Sequence, residues 1–230
     1  MNRKMILPLI FGAIGLGILL WLGAWQVSRL SWKNAKLAEI DIRIQAAPVA
    51  LPAQPDPEAD RYLPVTTAGI ATPGVQVFAT AKGQGAGFRM ISIFEVDGRK
   101  ILLDRGFRRQ ATADDLTVPI ELTITGNLLW PDEVDGFTPA PEGNTWYARD
   151  IKGIAMSLNV EPILIVARSV TPDTFIARVM PVTSEGIPND HLGYAITWFS
   201  LAFIWLVMTV AVVWRIRQRT PEASVSKADR

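Results

Sequence analysis

The sequence contains no cysteine and only one histidine, His191, in 230 residues. The lack of cysteine excludes disulfide bonds, thiolate metal sites and cysteine nucleophiles. Copper handling by paired cysteines is excluded with them, and the six scattered methionines do not suggest a methionine-rich copper site. Any metal bound through a side-chain nitrogen must therefore use His191, and so must any Ser-His-Asp hydrolase.

Acidic residues are scarce at the two ends of the chain and concentrated in its middle. Residues 37–190 contain 20 acidic and 13 basic side chains, whereas the flanks together contain 2 acidic and 10 basic ones. Hydrophobic residues make up 49% of the chain, which is high for a soluble domain, and the excess lies at the same two ends. This pattern suits a membrane protein better than a nucleic-acid-binding protein.

Two apolar runs are close to the roughly 20 residues that a helix needs to cross a bilayer. The first extends from Met5 to Leu22 and the second from Tyr194 to Trp214. A cleaved signal peptide is the alternative interpretation of the first run. However, Trp21 and Trp25 stand where a small-residue cleavage site would be expected, and this favours an uncleaved membrane anchor.

Basic residues beside the second run predict the orientation. Three arginines follow it directly, at positions 215, 217 and 219, and indicate a cytoplasmic C-terminus. With two spans the N-terminus lies on the same side, although three basic residues after the first run oppose this. The loop of residues 26–190 would then be periplasmic. No Arg- and Ser-rich transit peptide precedes the first run, so a bacterial inner membrane is favoured over a mitochondrial one.

The loop between the two runs reads as one β-rich domain with a short helix. Strands are predicted at 62–70, 75–80, 119–130 and 161–170, with a flexible glycine-rich turn at 82–88 and a hairpin that turns at Asp97-Gly98. A helix is predicted at 149–159, between the caps Asp150 and Asn159. Asp114-Asp115 reads as a solvated turn. Since no nucleophile, base and orienting group are assembled, we predict that the protein is not an enzyme.

These observations predict an α+β membrane protein in which two transmembrane helices flank a β-rich periplasmic domain. Its predicted segments are a cytoplasmic N-terminus (1–4), the first span (5–25), a juxtamembrane helix with a Pro-rich connector (26–61), the periplasmic domain (62–187), the second span (191–214) and a basic cytoplasmic tail (215–230).

His191 lies at the start of the second span, in the stretch PNDHLGYAITWFSLA. At about 100° per residue, one helix face would present His191, Ala195, Trp198, Ala202, Trp205 and Thr209. Such a stripe could hold a flat aromatic ligand against the alanines, and histidine ligation of haem iron is chemically reasonable. Two alternatives remain open: an interfacial polar residue, and plain packing on small residues of the first span, namely Ala13, Gly17 and Ala24.

A second cluster follows the first span. If that helix continues beyond the bilayer, five aromatic and basic residues share one side at spacings of three and four: Trp25, Arg29, Trp32, Lys33 and Lys36. The cluster could be an aromatic-basic anchor at the lipid headgroups. It could also form a cationic rim for carboxylates, with arginine binding two oxygens at once and lysine acting as a point charge.

The two clusters together resemble the Surfeit locus protein 1 family. The motifs that carry the resemblance are LGAWQVSRLSWK and PNDHLGYAITWFSLA, with RYLPVTTAG, KGQGAGF, ILLDRGFRR and NTWYARDI between them in the family's order. Asp104 and Asp190 stand where the family commonly has Asn. We interpret Arg105 and Gly106 as structural residues.

The resemblance implies a non-enzymatic assembly factor for haem-copper cytochrome c oxidase that binds haem a and aids its insertion into the catalytic subunit. The family's Asn-x-His-Leu histidine falls on His191, which would be the axial iron ligand, and its Trp-Gln pair falls on Trp25 and Gln26. We expect the remaining haem contacts from Tyr194 and Trp198 beside the ring and from Arg29 and Lys33 at the propionates.

The implied partners are the oxidase catalytic subunit, haem a synthase and the lipid bilayer. A protein-binding scaffold that stabilises an oxidase intermediate without touching haem is the alternative function.

Overall fold

The computed structural model describes residues 3–109, 116–173 and 175–218. Within them the elements are α1 (Arg3–Gln45), β1 (Val49–Ala50), β2 (Pro64–Ala81), β3 (Gly85–Val96), β4 (Arg99–Arg108), β5 (Ile120–Leu128), β6 (Thr145–Trp146), α2 (Ile151–Leu158), β7 (Leu164–Thr171) and α3 (His191–Gln218). The predicted α+β class, with an apolar helix at each end of a sheet-rich domain, is confirmed. The predicted Asp114-Asp115 turn and the tail from residue 219 lie outside the described residues.

The chain divides into two compact units, one made of residues 1–38 and 185–230 and the other of residues 39–184. The first unit contains most of α1 and all of α3. Both helices are long and apolar enough to cross a membrane. The second unit contains the sheet, α2 and the last turns of α1.

α1 is a single helix of 43 residues, roughly 65 Å long. The sequence explains its length, because residues 24–47 contain neither glycine nor proline and are rich in Ala, Leu, Lys and Arg. Pro48 disfavours helical geometry at the residue before it, and the helix ends three residues before this proline.

Five strands of the second unit close into a barrel. Hydrogen-bonded neighbours follow the order β2-β3-β4-β7-β5, and β5 pairs again with β2 to complete the ring. All of these pairs are antiparallel except β4–β7. The β3–β4 hairpin turns at Asp97 (φ 51°) and Gly98 (φ 74°), which confirms the tight turn predicted from that dipeptide.

The long strand β2 replaces the two strands predicted at 62–70 and 75–80. Its first half pairs with β5 and its second half with β3, and the register shifts between Thr72 and Val75. Pro73 and Gly74 lie at this irregularity, which is why the sequence reads as a break between strands. The predicted flexible turn at 82–88 is also shorter than expected, because β3 already begins at Gly85.

Strand β4 is apolar on both faces because the barrel interior and the layer beneath α2 both need hydrophobic partners. Ile101 and Leu103 of β4 belong to one buried cluster, whereas Leu102 between them packs in a second cluster with Ile154 of α2. Asp150 is the N-cap of α2, and its carboxylate accepts a hydrogen bond from the backbone N–H of Gly153. Asn159 ends it with φ 54°, so both predicted caps are confirmed.

The last turn of α1 is bound to the barrel by hydrogen bonds. The carbonyl of Ile44 accepts hydrogen bonds from Asn127 Nδ2 and from Arg168 Nη2, each at 3.0 Å. Asn127 also donates to the carbonyl of Tyr62 at 2.9 Å. A carbonyl at a helix C-terminus has no hydrogen-bond donor inside the helix. The buried Asn127 amide supplies a donor for the carbonyl of Ile44.

The strand motif Asp104-Arg105-Gly106 forms a β-bulge in β4. Met90 pairs with Gly106 and Ile91 with Asp104, so Arg105 is the extra residue. Arg105 is buried, donates from Nε to Ser92 Oγ at 2.6 Å, and places its guanidinium 4.4 Å from the ring centre of Phe175. The structural interpretation of this motif is thereby supported.

Gly106 has no space for a side chain. Its φ is 123°, and a Cβ atom there would lie 2.0 Å from the carbonyl oxygen of Arg178. That carbonyl accepts the N–H of Phe107 at 2.8 Å, so it cannot move away without breaking a backbone hydrogen bond.

We therefore expect Gly106→Ala to lower the free energy of unfolding by about 3 kcal/mol or more, since it combines backbone strain with a backbone clash. Chemical unfolding of the full-length protein in detergent, followed by tryptophan fluorescence, would measure this. Gly136→Ala is the matched control, because a Cβ at Gly136 meets no atom within 4 Å. Equal stability of the two variants would contradict the proposed role of the bulge.

Two ion pairs stabilise the loops and strands beside α2. Asp104, fully buried, accepts a hydrogen bond from Arg89 Nε at 2.5 Å. Glu133 accepts hydrogen bonds from both the backbone and the guanidinium of Arg149. Burial raises the pKa of Glu133, but the hydrogen bonds and charge of Arg149 outweigh it and hold that pKa below its ordinary value.

Because the folded state lowers the pKa of Glu133, its ionised form contributes stability at neutral pH that is lost as the pH falls through the lowered pKa. We expect Glu133→Gln to cost about 1 kcal/mol at pH 7, the upper range for a partly exposed pair. The difference from wild type should shrink below about pH 4. Unfolding curves at both pH values test this, with the exposed Glu121→Gln as control. A difference that stays constant with pH would refute the assignment.

Candidate functional site

The two long helices of the first unit pack against each other in antiparallel directions. A Cβ atom added at Gly12, Gly15 or Gly23 of α1 would lie within 3 Å of side-chain atoms of Thr209, Trp205 or Phe199 of α3, respectively. Small residues therefore allow the helices to approach closely, as in other membrane helix pairs.

The contact face of α1 differs from the predicted one. Ala13 and Ala24 are exposed, and a Cβ at Gly17 would meet no atom within 4 Å. The prediction that Ala13, Gly17 and Ala24 form the packing face is wrong, because glycines on the neighbouring face admit the large side chains of α3 more closely than alanines could.

On α3, the face predicted from His191 is the face that packs on α1. Ala195 and Ala202 are its buried residues, and Trp205 donates from Nε1 to the carbonyl of Gly12 at 2.9 Å. The alanines therefore do not present an open surface to a flat ligand, and that part of the prediction is wrong. A ligand bound at His191 must approach from the side of the helix pair.

His191 meets Gln26 at one end of this interface. Its Nδ1 lies 2.8 Å from Gln26 Oε1, and Gln26 is only 8% exposed. Because an amide oxygen only accepts hydrogen bonds, this geometry puts the imidazole proton on Nδ1. Nε2 then keeps its lone pair, and a neutral histidine can bind a metal through this nitrogen.

A second polar pair lies beside the first. Asn189, two residues before His191, donates from Nδ2 to Asn34 Oδ1 at 2.8 Å. Asn189 lies just before α3, and its side-chain amide contacts α1. The carbonyl of Asp190 accepts the N–H of Tyr194 at 3.2 Å and thus closes the first turn of α3.

The other predicted site residues lie on one flank of the helix pair. Counting 100° per residue from Gln26 and from His191, they turn to the same side of the two antiparallel helices. We call this set the basic–aromatic flank; it comprises Trp25, Arg29 and Lys33 on α1 and Tyr194 and Trp198 on α3.

Exposure on the flank increases with distance from the helix contact. Trp25, Arg29 and Tyr194 are exposed, and Lys33 and Trp198 are half-buried. The Arg29 guanidinium lies 4.5 Å from the ring centre of Trp32, so a cation–π contact holds it on this side of α1. The geometry thus brings an imidazole, aromatic rings and two cations to one side of one helix pair.

Apolar grooves lie farther along both sides of the helix pair. One has a volume of about 400 Å³ and is lined by Gly15, Ile18, Leu19, Leu201, Ile204, Trp205 and Met208. These residues turn to the same side as the basic–aromatic flank. A second groove, also about 400 Å³, lies on the opposite side, where Leu16 and Leu206 are among its lining residues.

Within residues 3–109, 116–173 and 175–218, no group of three or more His, Asp or Glu side chains could hold a metal ion. A metal held at His191 would therefore need most of its ligands from elsewhere. A porphyrin iron meets this condition, because the macrocycle supplies four nitrogens and the protein needs to add only an axial ligand. The residues at His191 fit such a group.

Sequence comparison gives the family. The sequence model of the SURF1 family matches residues 13–203, which include Gln26, the basic–aromatic flank and His191. The chain belongs to the SURF1 family.

Relatives in this family are similar over most of their length. Surfeit locus protein 1 of Mus musculus is 29% identical over 216 residues, which cover 80% of this chain and 70% of the relative. The SURF1-like protein of Monosiga brevicollis is 30% identical, with 82% and 81% covered. A bacterial SURF1-like protein, from Rickettsia felis, is 25% identical, with 84% and 91% covered. Together with the two apolar helices, this supports a membrane location.

Sequence reasoning named Gln26 only through the family's Trp-Gln pair and gave it no role. The available signal was its position: it is an uncharged polar residue near the end of an apolar helix, and such residues tend to hydrogen-bond to a neighbouring helix. Its partner was hidden, because 165 residues separate Gln26 from His191.

The hydrogen bond makes a prediction about the tautomer of His191. In the wild-type protein, ¹⁵N NMR of the single histidine should show that its neutral imidazole carries the proton on Nδ1. Gln26→Leu removes the acceptor and should shift the ring toward the Nε2-protonated tautomer, whereas Leu192→Ala leaves the acceptor in place and should not. Identical spectra for wild type and Gln26→Leu would exclude this hydrogen bond.

Proposed function

We propose that this protein binds haem a as cargo and aids assembly of haem-copper cytochrome c oxidase, delivering the haem toward the catalytic subunit. The observation that supports this most directly is the Gln26–His191 pair, because it holds the only imidazole of the chain with Nε2 ready for iron. Family membership supports the assembly role, since the resemblance implies oxidase assembly.

The Gln26–His191 pair and the basic–aromatic flank have different roles in this proposal. Nε2 of His191 would bind the iron, and Gln26 would hold the ring in the required tautomer and orientation. Tyr194, Trp198 and Trp25 would supply aromatic surface beside the macrocycle. Arg29 and Lys33 would neutralise the propionates, and the exposed position of Arg29 leaves it accessible to a carboxylate at the membrane surface.

The helix pair suits a carrier better than a permanent haem protein. In the described residues one imidazole is present, so the chain itself offers one nitrogen ligand to the iron. The flank is open on its outer side, because Trp25 and Tyr194 are exposed. A single axial bond in an open site holds cargo that a second protein can still reach.

The placement of both ends in the cytoplasm, and of the barrel in the bacterial periplasm, is part of the proposal. It rests on the arginines that follow the second apolar run, of which Arg215 and Arg217 occupy the last turn of α3. In this orientation His191 lies at the periplasmic end of the second span.

The test is pigment retention in cells that make haem a. Wild-type protein should purify with a haem spectrum, and His191→Ala should lose the pigment because no other side chain of the chain is an imidazole. Gln26→Leu keeps His191 as the iron ligand but should bind haem about 10–100-fold more weakly. This loss is expected when the hydrogen bond that orients a ligating histidine is removed. The matched control is Leu192→Ala, an exposed neighbour on the first turn of α3.

The outcomes separate the two functional classes. Equal pigment in wild type and His191→Ala would eliminate His191 as the ligand. Full oxidase assembly in cells that carry only His191→Ala would favour the protein-binding scaffold over the haem carrier.

A further inference from the structure

We infer that the apolar groove on the same side as the basic–aromatic flank holds the isoprenoid tail of the haem. This inference rests on the proposed function, because it concerns the part of haem a that His191 does not touch. Haem a carries a farnesyl chain on one edge of its ring, and a long hydrocarbon chain needs an apolar channel that begins beside the ring.

The lining of the groove has the required chemistry. It consists of glycine, aliphatic side chains, Met208 and the indole of Trp205. The indole N–H is already donated to the carbonyl of Gly12, so it does not present an unsatisfied donor to the groove. The volume of about 400 Å³ lies within the roughly 300–1,000 Å³ of small-ligand pockets.

The position of the groove matches the length of the chain. Leu201 lies ten residues after His191 on the same helix, roughly 15 Å farther along its axis. Trp205 lies four residues farther. A farnesyl chain that leaves the ring edge and extends along the helices spans a comparable distance, and the half-buried Trp198 lies along this path.

The choice between the two grooves follows from the side on which each lies. The groove that contains Leu206 has the same volume, but it lies on the side away from Tyr194, Arg29 and Trp198. A ring contacted by those residues directs its tail to the side of the helix pair on which the first groove lies. A lipid acyl chain, the competing occupant, would have no reason to prefer one groove over the other.

The test compares two haems that differ in the tail. Haem o bears the hydroxyethylfarnesyl chain and haem b does not. With full-length protein in lipid nanodiscs, we expect wild type to bind haem o about tenfold more tightly than haem b in Soret-band titrations. A modest preference is expected because the tail leaves lipid rather than water.

Leu201→Trp should fill the groove and remove this preference while leaving the affinity for haem b unchanged. Leu206→Trp should retain the preference; it is the matched control because Leu201 and Leu206 are each 43% exposed and line opposite grooves. This readout is an affinity difference and does not depend on oxidase assembly.

Each other result overturns the inference in a recognisable way. Equal affinity of wild type for both haems would remove the tail site and leave haem binding by His191 intact. A preference that survives Leu201→Trp would mean that lipid occupies the groove and the tail lies elsewhere. Loss of the preference in both variants would show that the preference does not depend on the side of the helix pair, and a weaker affinity for haem b in Leu201→Trp would show that Leu201 borders the ring and not the tail; either result overturns the inference. Failure of wild type to bind either haem would end the proposed function together with this inference.

Discussion

The short distance between α1 and α3 is the constraint on which the candidate site depends. Polar side chains in or near lipid must find partners within the protein, and the bond between Gln26 and His191 forms only if the helices approach closely. Gly12, Gly15 and Gly23 make that approach possible, since a methyl group at any of them would overlap a side chain of α3. The glycines thus determine the orientation of an imidazole that lies beyond the last of them.

The barrel buries charged side chains, which also need partners within the protein. Its bulge at Arg105 places a guanidinium inside the fold, where Ser92 and the ring of Phe175 compensate for lost water. Asp104 next to it binds Arg89 on the other side of the strand. A buried pair of this kind is costly to form and more costly to break by removing one partner. This explains why a motif with two charged residues and a glycine reads as structural.

Much of the fold could be predicted from the sequence, because it depends on local signals. The Asp97-Gly98 turn, the caps Asp150 and Asn159, and the two apolar helices follow from the conformational preferences of a few neighbouring residues. The division of residues 62–80 into two strands was wrong. A Pro-Gly pair is compatible both with the end of a strand and with an irregularity inside one, and Pro73 and Gly74 lie at an irregularity inside β2. Closure of the barrel depends on pairing between β2 and β5, which no local pattern encodes.

The candidate site was predictable in its residue types and not in its arrangement. His191, Trp198 and Arg29 could be selected from spacing and chemistry, but the face on which α3 meets α1 could not. Alanine and glycine are both small, and only the packed structure distinguishes Ala13 and Ala24, which are exposed, from the glycines that touch α3. The role of Gln26 required the register between two helices at opposite ends of the chain.

Closure of the barrel also limits how another protein can recognise it. The first half of β2 is bordered by β5 and by the two-residue strand β1, and its second half by β3 and the equally short β6. Within the described residues, a visiting polypeptide therefore finds only short unpaired stretches of β2 on which to extend the sheet by backbone pairing. Recognition would depend on protruding side chains, of which Phe137 is 95% exposed in a turn that Asp135 stabilises by accepting its backbone N–H.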